Sequence, residues 1–173
     1  MDPPIDDSAT CGCDGDHNEY KVQIWDTPGQ STPRIIICRF SKDADIIMFV
    51  YDITNRESFE ELDNFLDMIR DFRSNVELVL VGNNLDLVND ERNLIWNEEN
   101  KLKTPLREVS YDDGLKYAMK HGMSFYEVSA WSGRNVSNAF ETPITRVIAE
   151  NKQNHFVKKV KKKKWNVPFT NFN

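Results

Sequence analysis

The sequence predicts an α/β domain with a mostly parallel sheet and helices on both faces. Residues 46–51 (IIMFVY) and 78–82 (LVLVG) are apolar on both strand faces, which is typical of parallel strands covered on each side. Segments with helical spacing alternate with these strands, the order expected for right-handed crossovers. Polar loops follow the strands directly, where open α/β sheets bind ligands.

The composition is that of one domain. The chain has 173 residues, of which 39% are hydrophobic and 29% charged. No apolar run approaches the length of a membrane span, and the acidic start differs from a signal peptide. Three cysteines are too few for a disulfide framework and fit a reducing, cytoplasmic setting.

The charge is distributed unevenly. Residues 151–173 contain seven lysines and no acid, whereas the first 150 residues contain 15 basic and 28 acidic residues. An acidic body with a basic tail predicts weak, salt-sensitive attachment to an anionic membrane surface, or another electrostatic address, rather than specific nucleic-acid binding.

The first elements are a loose segment and two strands. Residues 1–19 are acidic and predicted to be mostly loose, ending in a hairpin-type turn signal at 14–18. Residues 20–25 alternate apolar and polar side chains, which predicts a strand with one buried face. After strand 46–51, five apolar residues recur at helical spacing: Phe59, Leu62, Phe65, Leu66 and Ile69.

The second half continues the alternation. Strand 78–82 is followed by a helix over about 111–120 and a strand at 125–128. The last helix is predicted to begin near Arg134 and to be interrupted by Pro143, since proline inside a helix costs about 3 kcal/mol.

Six segments, in order, resemble small GTPases of the Ras superfamily, and the Rab branch most closely. They are residues 22–30 (VQIWDTPGQ), 44–54 (ADIIMFVYDIT), 57–60 (ESFE), 81–87 (VGNNLDL), 107–111 (REVSY) and 127–130 (EVSA). The resemblance covers about residues 13–150. It implies an N-terminally incomplete, P-loop-NTPase-like domain at 20–150, flanked by the segment 1–19 and the tail 151–173.

The resemblance also implies residue roles on the guanine side of a GTP/GDP site. Asp86 fills the carboxylate position whose two oxygens accept both N–H groups on one edge of guanine. Asn83 would tie the base loops together, and the Ala130 amide would donate to the guanine carbonyl. The remaining guanine-side positions are Asn84, Ser129 and Trp131.

On the phosphate side, the resemblance assigns Asp26 to Mg²⁺ through water, with Thr27 beside it. The Gly29 amide would face the γ-phosphate, and Gln30 would orient the attacking water. The family's Gly-x-x-x-x-Gly-Lys phosphate loop is not found in the 173 residues, because no two of the seven glycines lie five apart and none precedes a lysine. The switch threonine of the family has no counterpart either.

Several positions depart from the family pattern. Asn84 and Trp131 stand where the family has lysines, and Trp131 is suited either to stacking on a base or to packing. The insertion at 88–105 is placed as in the Rho branch and is either a partner surface or a solvated loop. No cysteine follows Cys38, so no prenylation site is expected.

Three hypotheses follow. The first is a Rab-like nucleotide switch in vesicle traffic that binds effectors and regulators and is impaired in hydrolysis. The second is a non-enzymatic pseudo-GTPase that acts as an interaction module. The third is a fragment of a longer GTPase.

Overall fold

The computed structural model describes residues 6–12, 19–27, 41–70, 76–88 and 106–153. For residues 6–12, 19 and 151–153 it describes the backbone and not the side chains. The strands are β1 (Asp6–Gly12), β2 (Glu19–Trp25), β3 (Ile46–Asp52), β4 (Glu77–Asn83) and β5 (Ser124–Glu127). The helices are α1 (Arg56–Glu60), α2 (Leu62–Arg70), α3 (Leu85–Val88), α4 (Tyr111–His121) and α5 (Val136–Gln153). None of the described helices is long and apolar enough to cross a bilayer.

The described strands form two sheets. β3, β4 and β5 are parallel neighbours in that order, whereas β1 and β2 form an antiparallel pair. The prediction of a mostly parallel α/β fold is confirmed for the three-stranded sheet. Among the described strands, β2 and β3 do not pair with each other.

Part of the segment 1–19, which is predicted to be mostly loose, forms the strand β1. Asp6–Gly12 is a strand that pairs along its whole length with β2, from Asp6 opposite Trp25 to Gly12 opposite Glu19. Backbone pairing does not depend on apolar side chains, which is why composition did not indicate this strand. The turn predicted at 14–18 lies outside the described residues, between two paired strand ends.

Helices cover both faces of the three-stranded sheet. On one face α1, α2 and α4 enclose a core that includes Phe49, Tyr51 and Leu80. On the other face α5 packs against Val79 and Val81. β3 and β4 therefore bury alternate side chains in different cores, as their uninterrupted apolar sequences predict, although Val50 remains 58% exposed.

The predicted interruption of the last helix is wrong. α5 runs without a break from Val136 to Gln153 with Pro143 inside it. The Pro143 side chain is fully buried. We attribute the continuity to this burial, which offsets the loss of a backbone donor.

Candidate functional site

Two polar loops meet at the carboxyl edge of the three-stranded sheet. β4 ends at Asn83, β5 ends at Glu127, and the two strands are parallel neighbours. The residues that follow them therefore start from the same edge. A backbone hydrogen bond joins the loops directly, since the Leu85 amide donates to the Val128 carbonyl at 3.0 Å.

Asp86 and Ser129 form the buried centre of this contact. The Ser129 hydroxyl donates to Oδ1 of Asp86 at 2.6 Å, and both residues have 0% relative exposure. The backbone amide of Ser132 donates to the same hydroxyl at 3.0 Å. The serine thus links the start of α3 to the turn after β5, and the sequence-predicted pair lies together.

Asn83 makes the second side-chain link between the loops. Its Oδ1 accepts a hydrogen bond of 3.0 Å from the Ala130 amide, which is the tie that the resemblance implies. The resemblance assigns the same amide to the guanine carbonyl, and that role stays a prediction.

Asn84 and Trp131 lie on the outer parts of the two loops. Asn84 has a φ of 72°, a left-handed conformation that asparagine tolerates better than most residues with a side chain. The Trp131 side chain is 50% exposed. Its stacking on a base stays a prediction.

The residue types fit guanine, and recognition of a base by them stays a prediction. A carboxylate pairs with two N–H groups only where a ligand reaches its oxygens. Asp86 is sealed from solvent, and the Ala130 amide is engaged within the protein.

Of the phosphate-side residues, the structure describes Asp26 and Thr27. Asp26 and Thr27 are exposed and directly follow β2, which belongs to the two-stranded sheet. Gly29 and Gln30 lie outside the described residues. In the described part of the chain, no three His, Cys, Asp or Glu side chains are grouped so that they would hold a metal ion. A Mg²⁺ role for Asp26 stays a prediction.

The sequence indicates no role for the ion pair between Arg107 and Glu127. Arg107 donates through both terminal nitrogens to the Glu127 carboxylate, at 2.5 and 3.0 Å. It also donates to the Val109 carbonyl at 3.1 Å, so it joins the segment before α4 to the end of β5. Both residues lie in segments that match the family. A single arginine and a single glutamate 20 residues apart give no recognisable spacing, however.

The Arg107–Glu127 pair lies near the buried ring of Tyr51. Burial raises the pKa of the Tyr51 hydroxyl well above its usual range, and the nearby Glu127 charge raises it further. The hydrogen bonds that Arg107 donates to Glu127 raise the pKa of Arg107 as well. The phenol is therefore neutral at physiological pH.

This chain has a mostly parallel sheet with helices on both faces, and two joined loops lie at the carboxyl edge of that sheet. These features are typical of α/β domains that bind ligands at strand ends. Within that class, the family model described as the Ras family matches residues 1–149. The chain belongs to the Ras family, and its curated relatives include Rab proteins.

Three relatives illustrate this similarity. The chain is 35% identical over 133 residues to the Ras-related protein Rab11A of Lotus japonicus, covering 76% of this chain and 52% of the relative. It is 32% identical over 151 residues to RABA4a of Arabidopsis thaliana, covering 83% and 60%. It is 37% identical over 137 residues to Rab-2B of Dictyostelium discoideum, covering 79% and 60%. The chain thus spans between half and two thirds of the length of these relatives.

Proposed function

We propose that this chain is a Rab-like small G domain that retains the guanine side of the nucleotide site and, by itself, is impaired in GTP hydrolysis. The joined loops support the first part, because Asn83, Asp86, Ser129 and Ala130 are brought together by direct hydrogen bonds. Membership of the Ras family makes GTP or GDP with Mg²⁺ the expected ligands.

The impairment rests on the phosphate side. Backbone amides and a lysine at the phosphates supply most of the electrostatic stabilisation in phosphoryl transfer. The 173 residues contain no Gly-x-x-x-x-Gly-Lys segment. Base contacts alone would yield roughly 3–5 kcal/mol, which corresponds to a Kd of about 0.2 to 6 mM.

Titration of the purified chain with a fluorescent GDP analogue and Mg²⁺ tests this proposal. We expect weak binding that Asp86→Asn reduces further, together with no measurable hydrolysis of GTP. Ser132→Ala is the matched control, because the exposed Ser132 contributes only its backbone amide to the loop. Micromolar binding with turnover would contradict the impairment.

A non-enzymatic interaction module is the second candidate. The hydrogen bonds that join the two loops favour it, because they stabilise this edge of the sheet through the protein's own groups. No binding up to millimolar GDP, combined with a cooperative thermal transition, would select this function. An unfolded or aggregated chain would instead favour the fragment hypothesis.

A cellular role in vesicle traffic and a cytoplasmic location with weak membrane association complete the proposal. The support is the similarity to Rab proteins and the seven lysines at 151–173, a segment whose side chains lie outside the described set. Binding to anionic vesicles that disappears at high salt would support the membrane part, whereas salt-independent binding would contradict it.

A further inference from the structure

The outward face of α4 carries an apolar stripe, which we call the α4 stripe. It consists of Tyr111, Leu115 and Met119, whose relative exposures are 52%, 36% and 74%. The three residues are spaced four apart and therefore lie one above another on the helix. The other side of α4 is packed, since Gly114 and Ala118 are buried. An exposed row of large apolar side chains on an otherwise packed helix is typical of an interaction surface.

A row of charges runs beside the α4 stripe. Asp112, Lys116 and Lys120 are each exposed and each follow one residue of the stripe. Within the described part of the chain, neither Asp112 nor Lys120 makes an ion pair. The row is negative at Asp112 and positive at Lys120. Two copies of the row that run antiparallel therefore bring opposite charges together at both ends.

These two rows point to a partner with the same sequence. In an antiparallel pair of α4 helices centred on Leu115, Tyr111 faces Met119 of the other copy. In the same arrangement Asp112 lies beside Lys120 of the other copy, and the two-fold symmetry repeats each contact. The Lys116 side chains of the two copies come near each other but are long and exposed.

We propose that this chain forms a symmetric homodimer through the α4 stripe, with two intermolecular Asp112–Lys120 pairs. One helix face per copy buries less area than a standard interface of about 1,600 Å². We therefore expect a reversible dimer with a Kd on the order of 100 µM rather than an obligate one.

Sedimentation velocity of the full chain from about 10 µM to 1 mM tests the dimer around that Kd. The expected result is a concentration-dependent shift from monomer to dimer. Met119→Lys is expected to raise the Kd by at least about tenfold, because it places a charge opposite the apolar ring of Tyr111 in both halves of the contact. Val50→Lys is the matched control, since Val50 is also exposed and apolar, at 58%, but lies on β3.

A charge exchange tests the geometry independently of stability. Asp112→Lys and Lys120→Glu are each expected to raise the Kd, since each places like charges opposite one another. The combined variant re-forms both pairs with reversed sign and is expected to return the Kd to within about threefold of the original.

Three results would overturn the proposal. The first is a chain that stays monomeric at 1 mM, and the second is a dimer that Val50→Lys dissociates and Met119→Lys does not, which would locate the contact at β3. The third is a combined variant that stays as weak as the single ones. A circular dichroism melt of each variant confirms that it is folded, and recovery by the combined variant separates a lost contact from a lost fold.

Discussion

The hydroxyl of Ser129 donates a 2.6 Å hydrogen bond to Oδ1 of Asp86, and both side chains are fully buried. The bond connects the start of α3 with the turn after β5. Both this bond and the neighbouring bond between Asn83 and Ala130 join groups of the protein to each other. The residues expected to recognise guanine therefore also stabilise the fold, and that stabilisation is measurable without nucleotide.

Ser129→Ala is expected to lower the free energy of unfolding by about 2 kcal/mol, because a buried carboxylate oxygen loses a donor and the Ser132 amide loses an acceptor. Urea denaturation without nucleotide measures the change. Ser132→Ala is the control and is expected to stay within about 0.5 kcal/mol of the unmodified chain. Equal stabilities for the two variants would show that the Ser129 hydroxyl contributes nothing.

Arg107→Leu is expected to destabilise the chain by about 3 kcal/mol or more, because the carboxyl group of Glu127, only 8% exposed, loses the partner that binds both of its oxygens. Arg107→Lys should be intermediate, since an ammonium group does not donate in the same two-pronged geometry. Adding Glu127→Gln to Arg107→Leu should recover part of the loss. A double-mutant cycle from denaturation curves gives the coupling, and additive effects would contradict a direct pair.

Stability is expected to fall between about pH 7 and 5.5 because of His121. Arg70 donates to Nδ1 of His121 at 2.9 Å, so the neutral ring is the form that accepts this bond. Burial, with smaller effects from Arg70 and Lys120, lowers the pKa of His121 below its ordinary value, against weaker opposing effects of Asp63 and Asp67. The unfolded chain therefore takes up the proton at a higher pH than the folded chain, so protons favour unfolding in this range.

Denaturation midpoints measured across that range check the prediction for His121. His121→Gln removes the titrating group and should flatten the dependence. Lys120→Gln is the control and should keep most of it, because Lys120 is only the third cause of the lowered pKa. An unchanged slope in His121→Gln would assign the dependence to other groups.

Gly114→Ala is expected to destabilise the chain by about 1–3 kcal/mol, although alanine is the better helix former. A Cβ at Gly114 would lie 2.6 Å from Phe125 Cζ and 2.6 Å from the Tyr51 hydroxyl oxygen. Lys116→Ala, on the exposed side of the same helix, should be neutral or slightly stabilising. A thermal melt compares the two, and a stabilised Gly114→Ala would mean that the two rings move aside at no cost.

Much of the fold could be predicted from local pattern. The strands around 46–51 and 78–82 were predicted because both cores require apolar residues in continuous runs. The helix at Tyr111–His121 was predicted within one residue, and it has local boundary signals in the Ser110 N-cap and in Gly122 at φ 69°. β1 was missed because its pairing uses backbone groups. The effect of Pro143 was misjudged because only its burial in the folded chain offsets the lost donor.

The candidate site, like the fold, could be predicted only in part from the sequence. The sequence by itself determined which side chains follow β4 and β5, because order along the chain fixes what stands at a strand end. Only the tertiary structure decided that Ser129 reaches Asp86, that the Ala130 amide is taken by Asn83, and that Asp86 is closed to solvent. These are contacts between residues more than 40 positions apart, and a hydrogen bond depends on separations of tenths of an ångström that no spacing in the sequence records.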